Sequence, residues 1–382
     1  MKIIVTSGLG QVWGTYLPSR LDLGEEALGG GEAAMLRTAF QLAAFGHEVD
    51  VFIPLAGPPT TYRNCRFFHL REFYDALFSA TEPYDVLCSW SDAKAIQYCP
   101  SQTRRVFVQQ LNDMPLELAF WRNVDVIVPA SATHGRFLAR WQPQGASVAY
   151  VPLYGGVLPE LWKDAPSWPL RRNVVSWWSS PDRGLHHLLT IWPRIKKEVP
   201  DAELRVAYHA YRFIDGMRDE LMFGEGAWRA RILESALSSA RKAGGVVVLG
   251  PIGRKNLARH QGETKVLGQM LDPICPTEGL GVAVSESIAA GCWTIVRPDD
   301  AFKEVYDGFV QWVPSAICDD AWRQRFCDAI VHALRADVNP YNARTAEFCR
   351  LFTWEAAGRA LERACQIPVT RPDQEFGRYQ GM

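Results

Sequence analysis

The stretch Pro276-Thr277-Glu278-Gly279-Leu280-Gly281-Val282-Ala283-Val284-Ser285-Glu286, followed closely by Ala289-Ala290-Gly291, carries a loop into the start of a helix. Glu278 ends the loop. Gly279 and Gly281 let the backbone approach a ligand, and a helix beginning at Val282 then offers its first N–H groups and the positive end of its dipole to an anion. Glu286 falls about one turn inside that helix. Two carboxylates flanking an anion cradle would repel a lone phosphate. They suit a diphosphate that carries hydroxyl-bearing groups on both sides, a sugar on one and a ribose on the other, each hydroxyl donating to a carboxylate. That is the outline of a nucleotide sugar. The spacing is equally compatible with a solvated loop charge and a solvated helix charge.

Working outward, this segment lies in an alternation of strand-like and helix-like runs. Strands are expected at Asn173 to Trp177, Leu204 to Tyr208, Val246 to Leu249, Val266 to Leu271 and Trp293 to Val296, with helices at Leu185 to Lys197, Trp228 to Ala243 and Val282 to Ala290. The first half repeats the theme. Lys2 to Thr6 and Val49 to Ile53 read as buried strands, and between them Leu36, Ala39, Phe40 and Ala43 line one helical face. Further strands are expected at Asp85 to Cys88, Val106 to Gln109, Val124 to Val128 and Val148 to Val151. Pro159, Pro166 and Pro169 with Gly155-Gly156 mark a linker. The fold class is therefore α/β: two Rossmann-like domains, residues 1–160 and 161–352, facing a cleft onto which the carboxyl ends of both sheets open.

Composition agrees and excludes other classes. The 382 residues, 48% of them hydrophobic and 22% charged, suffice for two cores and exclude a small disulfide scaffold or a disordered chain. Lys plus Arg number 41 against 42 Asp plus Glu, a balance that disfavours wholesale binding to nucleic acid or an anionic membrane. The nine cysteines are odd in number and include no CxxC pair, which points to reduced thiols and a cytoplasmic setting. The apolar run at the N-terminus is too short for a signal sequence, and no stretch suits a membrane span. Fourteen tryptophans are many. Core packing is the plain reading, and stacking on sugar faces the sharper one.

Other segments, in order, carry a resemblance. Glu278-x7-Glu286 before a small-residue helix resembles the hallmark of retaining glycosyltransferases of GT-B architecture, of the large family four type. Gly29-Gly30-Gly31-Glu32 through Phe45-Gly46-His47-Glu48-Val49 is similar to that family's first glycine loop, helix and second strand. Val151-Pro152-Leu153-Tyr154-Gly155-Gly156-Val157 resembles its passage from acceptor to donor domain. Ser179-Ser180-Pro181-Asp182-Arg183-Gly184-Leu185 with Pro200-Asp201-Ala202-Glu203-Leu204 resembles the opening of its donor domain. Phe352-Thr353-Trp354-Glu355 looks like the start of a last helix, within residues 353–382, that crosses back to the first domain.

The resemblance implies a nucleotide-sugar donor, with Glu278 near the reacting sugar, Glu286 on the ribose, and the amides of Gly279, Leu280, Gly281 and Val282 on sugar and diphosphate. Gly30 and Gly31 belong to the glycine loop and join the donor-binding set. Arg183 would neutralise the leaving diphosphate, and a cation disfavoured by its own helix dipole is easier to understand beside an anion. Trp178 stands where many relatives have a second basic residue; Lys255, Arg254 and Lys265 are the candidates to substitute, and spacing does not choose among them. Asn112 stands where relatives often have His, which leaves Asp113 to accept the acceptor's proton or merely to cap the helix after Pro115. No Asp-x-Asp triplet occurs, so no metal and no cofactor is expected. His186-His187 reads as a partly exposed pair rather than a metal site.

Gly8-Leu9-Gly10 lacks the third glycine of a dinucleotide fingerprint, because Trp13 stands there. A carbohydrate acceptor is favoured, contacted by Trp13, Tyr16 and Trp90 on the first domain's loops; modified nucleic acid, protein or a lipid-linked sugar stays open. A sugar-nucleotide hydrolase, epimerase or phosphorylase, or a non-catalytic binding subunit, would use the same fold. Oligomeric state is not written in the sequence.

Overall fold

A computed structural model of the chain describes residues 1–7, 16–22, 24–25, 29–208, 210–219, 225–272 and 278–368. Gly8, Leu9, Gly10, Trp13, Pro276, Thr277 and the tail from residue 369 lie outside the described residues. The first sheet holds β1 (Lys2–Ser7), β2 (Glu48–Ile53), β3 (Thr60–Tyr62), β4 (Cys65–His69), β5 (Val86–Trp90), β6 (Arg104–Gln109), β7 (Val126–Pro129) and β8 (Ala149–Tyr150), in the order β3-β4-β2-β1-β5-β6-β7-β8. Only the β3–β4 pair is antiparallel. Runs such as Ile3-Ile4-Val5 and Val106-Phe107-Val108 are buried on both faces, as a parallel sheet sandwiched by helices requires. Those helices are α1 (Pro18–Asp22), α2 (Gly30–Ala44), α3 (Phe73–Ser79), α4 (Ala93–Tyr98), α5 (Leu118–Asn123) and α6 (Ala132–Leu138).

The second sheet is wholly parallel, in the order β11-β10-β9-β12-β13-β14. Its strands are β9 (Val174–Trp177), β10 (Glu203–Val206), β11 (Val246–Val248), β12 (Val266–Gln269), β13 (Trp293–Val296) and β14 (Gln311–Trp312). Around it stand α7 (Leu185–Glu198), α8 (Ala210–Asp219), α9 (Glu225–Ala243), α10 (Arg254–Glu263), α11 (Val282–Ala289), α12 (Ala301–Tyr306), α13 (Asp320–Arg335) and α14 (Asn342–Leu351). This is the doubly wound order, whose strand direction of travel reverses between β9 and β12 and so opens a crevice there. In the first sheet the same reversal falls between β1 and β5.

Several elements carry no strong sequence signal, and each has a reason. β3 and β4 are joined by Arg63-Asn64, both left-handed at φ 47° and 62°, a tight hairpin turn made without glycine. Helix α12 has six residues, too few to show a period. The tryptophans resolve mainly into core. Trp90, Trp177, Trp192 and Trp322 are almost completely buried, so Trp90 packs beneath the first sheet's loops and offers no face to a ligand.

The last helix, α15 (Trp354–Gln366), packs against α2, with Trp354, Ala357, Leu361 and Ala364 in the first sheet's core. The chain thus passes between the sheets twice, and the two passages touch: the Val157 amide donates to the Phe352 carbonyl at 3.0 Å. Gly156 lets them meet, because a Cβ there would lie 2.3 Å from the Trp354 nitrogen. Gly156→Ala should therefore destabilise the chain by roughly 1–3 kcal/mol through overpacking against backbone. Urea unfolding checks this, and an unchanged midpoint would remove the contact as a constraint.

Candidate functional site

At the crevice of the second sheet, the chain leaves the Glu278 loop and turns into α11 through Gly281, left-handed at φ 77°. A Cβ on Gly281 would lie 2.3 Å from the Phe302 ring. The loop is fixed from two sides. The Glu278 amide donates to Asp300 Oδ2 at 3.0 Å, and the Tyr306 hydroxyl donates to the Leu280 carbonyl at 2.6 Å. Asp300 itself has φ 48° and ψ −130°, a conformation costly for a residue with a Cβ and the kind of local strain found where geometry is held for a purpose.

The Glu278 side chain is 15% exposed, and its Oε2 lies 3.7 Å from Arg183 Nε. Burial raises its pKa, against the opposing pull of Arg183. The nearby amides of Leu280 and Gly281 also favour its charged form. The sequence-derived pair Glu278 and Arg183 is thus together, beside the amides expected to meet a ligand.

Glu286 is buried at 5% exposure. Arg254 pairs with its Oε1, and Gln261 donates to its Oε2 at 3.0 Å. Among the cations that spacing could not separate, Arg254 reaches this carboxylate. The Lys255 side chain is exposed, while Lys265 Nζ donates to Asn173 and to the Leu334 carbonyl. Trp178 is buried in the second sheet's core with Leu267, Leu271 and Val284.

Across the cleft, Gly30 and Gly31 form the first turn of α2. A Cβ on Gly30 would sit 3.2 Å from Val282 Cγ2, so the first residues of α2 and α11 touch. Two helix N-termini from different sheets converge there, an electrostatic setting that favours a polyanion between them. Gly279 meets the first domain as well, since its Cβ would lie 3.2 Å from His134 Nδ1.

His134 is a site neighbour that the sequence reading missed. It lies in the first turn of α6, fully buried, where Ser131 caps the helix by accepting from its amide. Nδ1 accepts from the Ala130 amide at 3.1 Å, which leaves Nε2–H to donate to the Leu111 carbonyl at 3.0 Å. Burial lowers its pKa to about 4.

The first sheet's crevice opens into a cavity of about 1120 Å³ whose lining includes Ser7, Tyr74, Ser91, Asp92, Gln109 and Asp113. Gln109 organises its floor. Its Oε1 accepts from Ser91 Oγ and from the amides of Gln110 and Leu111, and its Nε2 donates to the Asp113 carbonyl. Ser91 is left-handed at φ 56°. Asp113 is exposed on this cavity and does not cap the following helix, whose N-cap is Glu117. Asn112 is half-buried in the same loop.

The His186-His187 pair differs from its expected exposure, being buried at 7% and 4%. Asp272, distant in sequence, joins it: ligand atoms of the three lie within 4.8 Å of one another. His187 Nε2 donates to Asp272 at 2.9 Å while Arg323 donates to its Nδ1. Arg229 also pairs with Asp272 at 3.4 Å. Two guanidinium groups on the same cluster oppose a further cation. The cluster lies next to the site, since the Asp272 amide donates to the Arg183 carbonyl at 2.9 Å.

No family model and no curated protein sequence matches the chain. Solved structures do match over nearly its whole length. Sucrose-phosphate synthase from Thermosynechococcus elongatus is 14% identical, covering 96% of this chain and 98% of that one, with a TM-score of 0.63. Anabaena HepE, in complex with UDP and glucose, is 14% identical over 96% and 100%, with a TM-score of 0.66. An α,α-trehalose-phosphate synthase (UDP-forming) from Burkholderia xenovorans, in complex with glucose-6-phosphate, is 12% identical over 96% and 100%, with a TM-score of 0.65. The fold is that of GT-B glycosyltransferases. Among the described residues, no helix is long and apolar enough to cross a membrane.

The buried imidazoles give the site a pH signature. Burial lowers the pKa of His134 to about 4 and of His186 to about 3, from 6.5. Unfolded chains therefore bind protons that folded ones refuse, so stability present in full above pH 6.5 is lost as pH falls toward 4 and then 3. Melting temperature should drop across that window. In His134→Gln, less stable at neutral pH, the drop should be shallower, and an equally steep profile would exclude His134 as a source.

Proposed function

We propose that the protein is a retaining glycosyltransferase that moves a sugar from a nucleoside diphosphate to a carbohydrate acceptor. The observation that carries this reading is the meeting of Arg183 and Glu278, 3.7 Å apart, at the junction where α11 and α2 bring their first turns together. A cation and two converging helix N-termini complement a diphosphate, and a carboxylate beside them complements sugar hydroxyls. The UDP and glucose bound to HepE, at the same fold, support a donor of this class.

In this reading the amides of Leu280 and Gly281, beside the Glu278 carboxylate, bind the sugar and diphosphate. Glu286, oriented by Arg254 and Gln261, serves the ribose. The bond between the anomeric carbon and the diphosphate oxygen breaks as the acceptor oxygen bonds that carbon on the same face. The acceptor's proton passes to the departing phosphate oxygen, so no protein base is required. Arg183 stabilises the charge that develops on the diphosphate, the step where electrostatic preorganisation acts most strongly. No metal or cofactor is assigned a role. The acceptor occupies the 1120 Å³ cavity, where Gln109, Ser91, Tyr74 and Asp113 offer hydrogen bonds to hydroxyls. Its lining mixes Arg71 and Lys94 with Asp92, Asp113 and Glu117, a balance suited to a saccharide rather than to a nucleic acid.

Three measurements test this. One of a panel of nucleoside diphosphates should raise the melting temperature by mass action. With the donor so identified, Glu278→Ala and Arg183→Ala should each cost at least about tenfold in transfer, equivalent to about 1.4 kcal/mol. Wild-type rates in both variants would overturn the site, and an inverted anomeric centre in the product, read by NMR, would overturn retention.

A further inference from the structure

Helix α12 stands between the Glu278 loop and the first domain, and its side chains divide between them. Toward the loop, Asp300 at its N-cap accepts from the Glu278 amide, Phe302 fills the space beneath Gly281, and the Tyr306 hydroxyl donates to the Leu280 carbonyl. Toward the first domain, Glu304 reaches across the cleft. Its Oε1 accepts from the Ala132 amide at 3.0 Å and from the Tyr154 hydroxyl at 2.5 Å. Its Oε2 accepts from the Thr133 amide at 2.6 Å and the Thr133 hydroxyl at 2.5 Å. Arg136 adds a guanidinium at 3.7 Å. Three of these four hydrogen bonds come from α6 of the first domain and the fourth from Tyr154 in the passage between the sheets, whereas every loop contact of α12 lies within the second domain.

From this division we propose that α12 transmits closure of the cleft to the Glu278 loop, with Glu304 as the positioning residue on which closure acts. The proposal rests on the donor reading above only for its catalytic consequence. Opening the cleft removes Glu304's three hydrogen bonds from α6 at once. A helix of six residues has no room to absorb the change internally, so its N-cap, Asp300, already held in a strained conformation, shifts with it. The Glu278 amide then loses its fixed partner. Closure therefore sets the Glu278 carboxylate and the neighbouring amides in place when both substrates are enclosed, and loosens them when the cleft is open. The residues around Glu304 that bear on its charge are Arg136 and Tyr154, and the hydrogen bonds it accepts hold its pKa below the usual value.

Amide hydrogen exchange read by mass spectrometry, on the full chain without ligand, tests the coupling directly. Glu304→Gln keeps the shape but turns one acceptor into a donor facing donors. Exchange should quicken both at residues 131–134 and at residues 278–281. Faster exchange at 131–134 with no change at 278–281 overturns the coupling. Tyr154→Phe, a milder change that removes only one of Glu304's partners, should give the same paired response more weakly, and it keeps the test available if Glu304→Gln folds poorly.

With an identified donor, Glu304→Gln should lower kcat by about tenfold or more while nucleoside diphosphate affinity changes by less than about threefold. The double variant should fall short of the sum of its parts, as expected for two groups in one hydrogen-bond network. A lower melting temperature with kcat unchanged would mean a merely structural role and overturn the proposal. If no nucleoside diphosphate binds the parent protein, the donor reading fails, while the exchange experiment still decides the coupling.

Discussion

The backbone of Gly281 is the constraint around which this site is arranged. Only with φ at 77° and no Cβ can the chain leave the Glu278 loop, pass over the Phe302 ring and enter α11 with its first turn facing the cleft. Any other residue would push α11 off Phe302 and separate its N-terminus from that of α2. Phe302, Tyr306 and Asp300 then lock the loop against a single short helix. A conformational requirement at one residue thus decides where two helix dipoles meet.

Charge in the cleft is kept by pairing rather than by exposure. Glu286 is buried with Arg254 and Gln261, and the half-buried Asp272 is paired with Arg229 and His187. Removing one member of such a pair would strand the other charge in a poorly solvated place. Glu278 is held less completely. Its carboxylate faces Arg183 at 3.7 Å, beyond hydrogen-bond distance, so it can exchange this partner for a ligand at small cost.

The strands and long helices were legible because burial writes itself into sequence: β-branched runs for parallel strands, and the Leu36, Ala39, Phe40 and Ala43 face for α2. Glu278, Arg183 and Glu286 were legible through their setting in a glycine-bearing loop and two helix starts. What could not be read was whatever depends on residues distant in sequence. His134 looks like any polar residue in a helix's first turn until Gly279 is folded against it. Arg254 and Lys255 are adjacent and alike, and only the direction of α10 decides which one meets Glu286. The partly exposed reading of His186-His187 failed because Asp272 and Arg323, which satisfy and cover the pair, arrive from other elements. The Arg63-Asn64 turn was missed because its left-handed residues are not glycine.

The two passages of chain between the sheets, at residues 155–157 and 352–354, lie side by side and are hydrogen-bonded to each other. Two adjacent covalent tethers at one edge define an axle. Sliding or twisting of one domain on the other would stretch one tether against its neighbour, so the free movement left is rotation about that edge. A rotation so confined needs no search: each time the cleft shuts, Glu304 returns to the same two amides of α6, and the domains realign in register without any contact having to guide them over a distance.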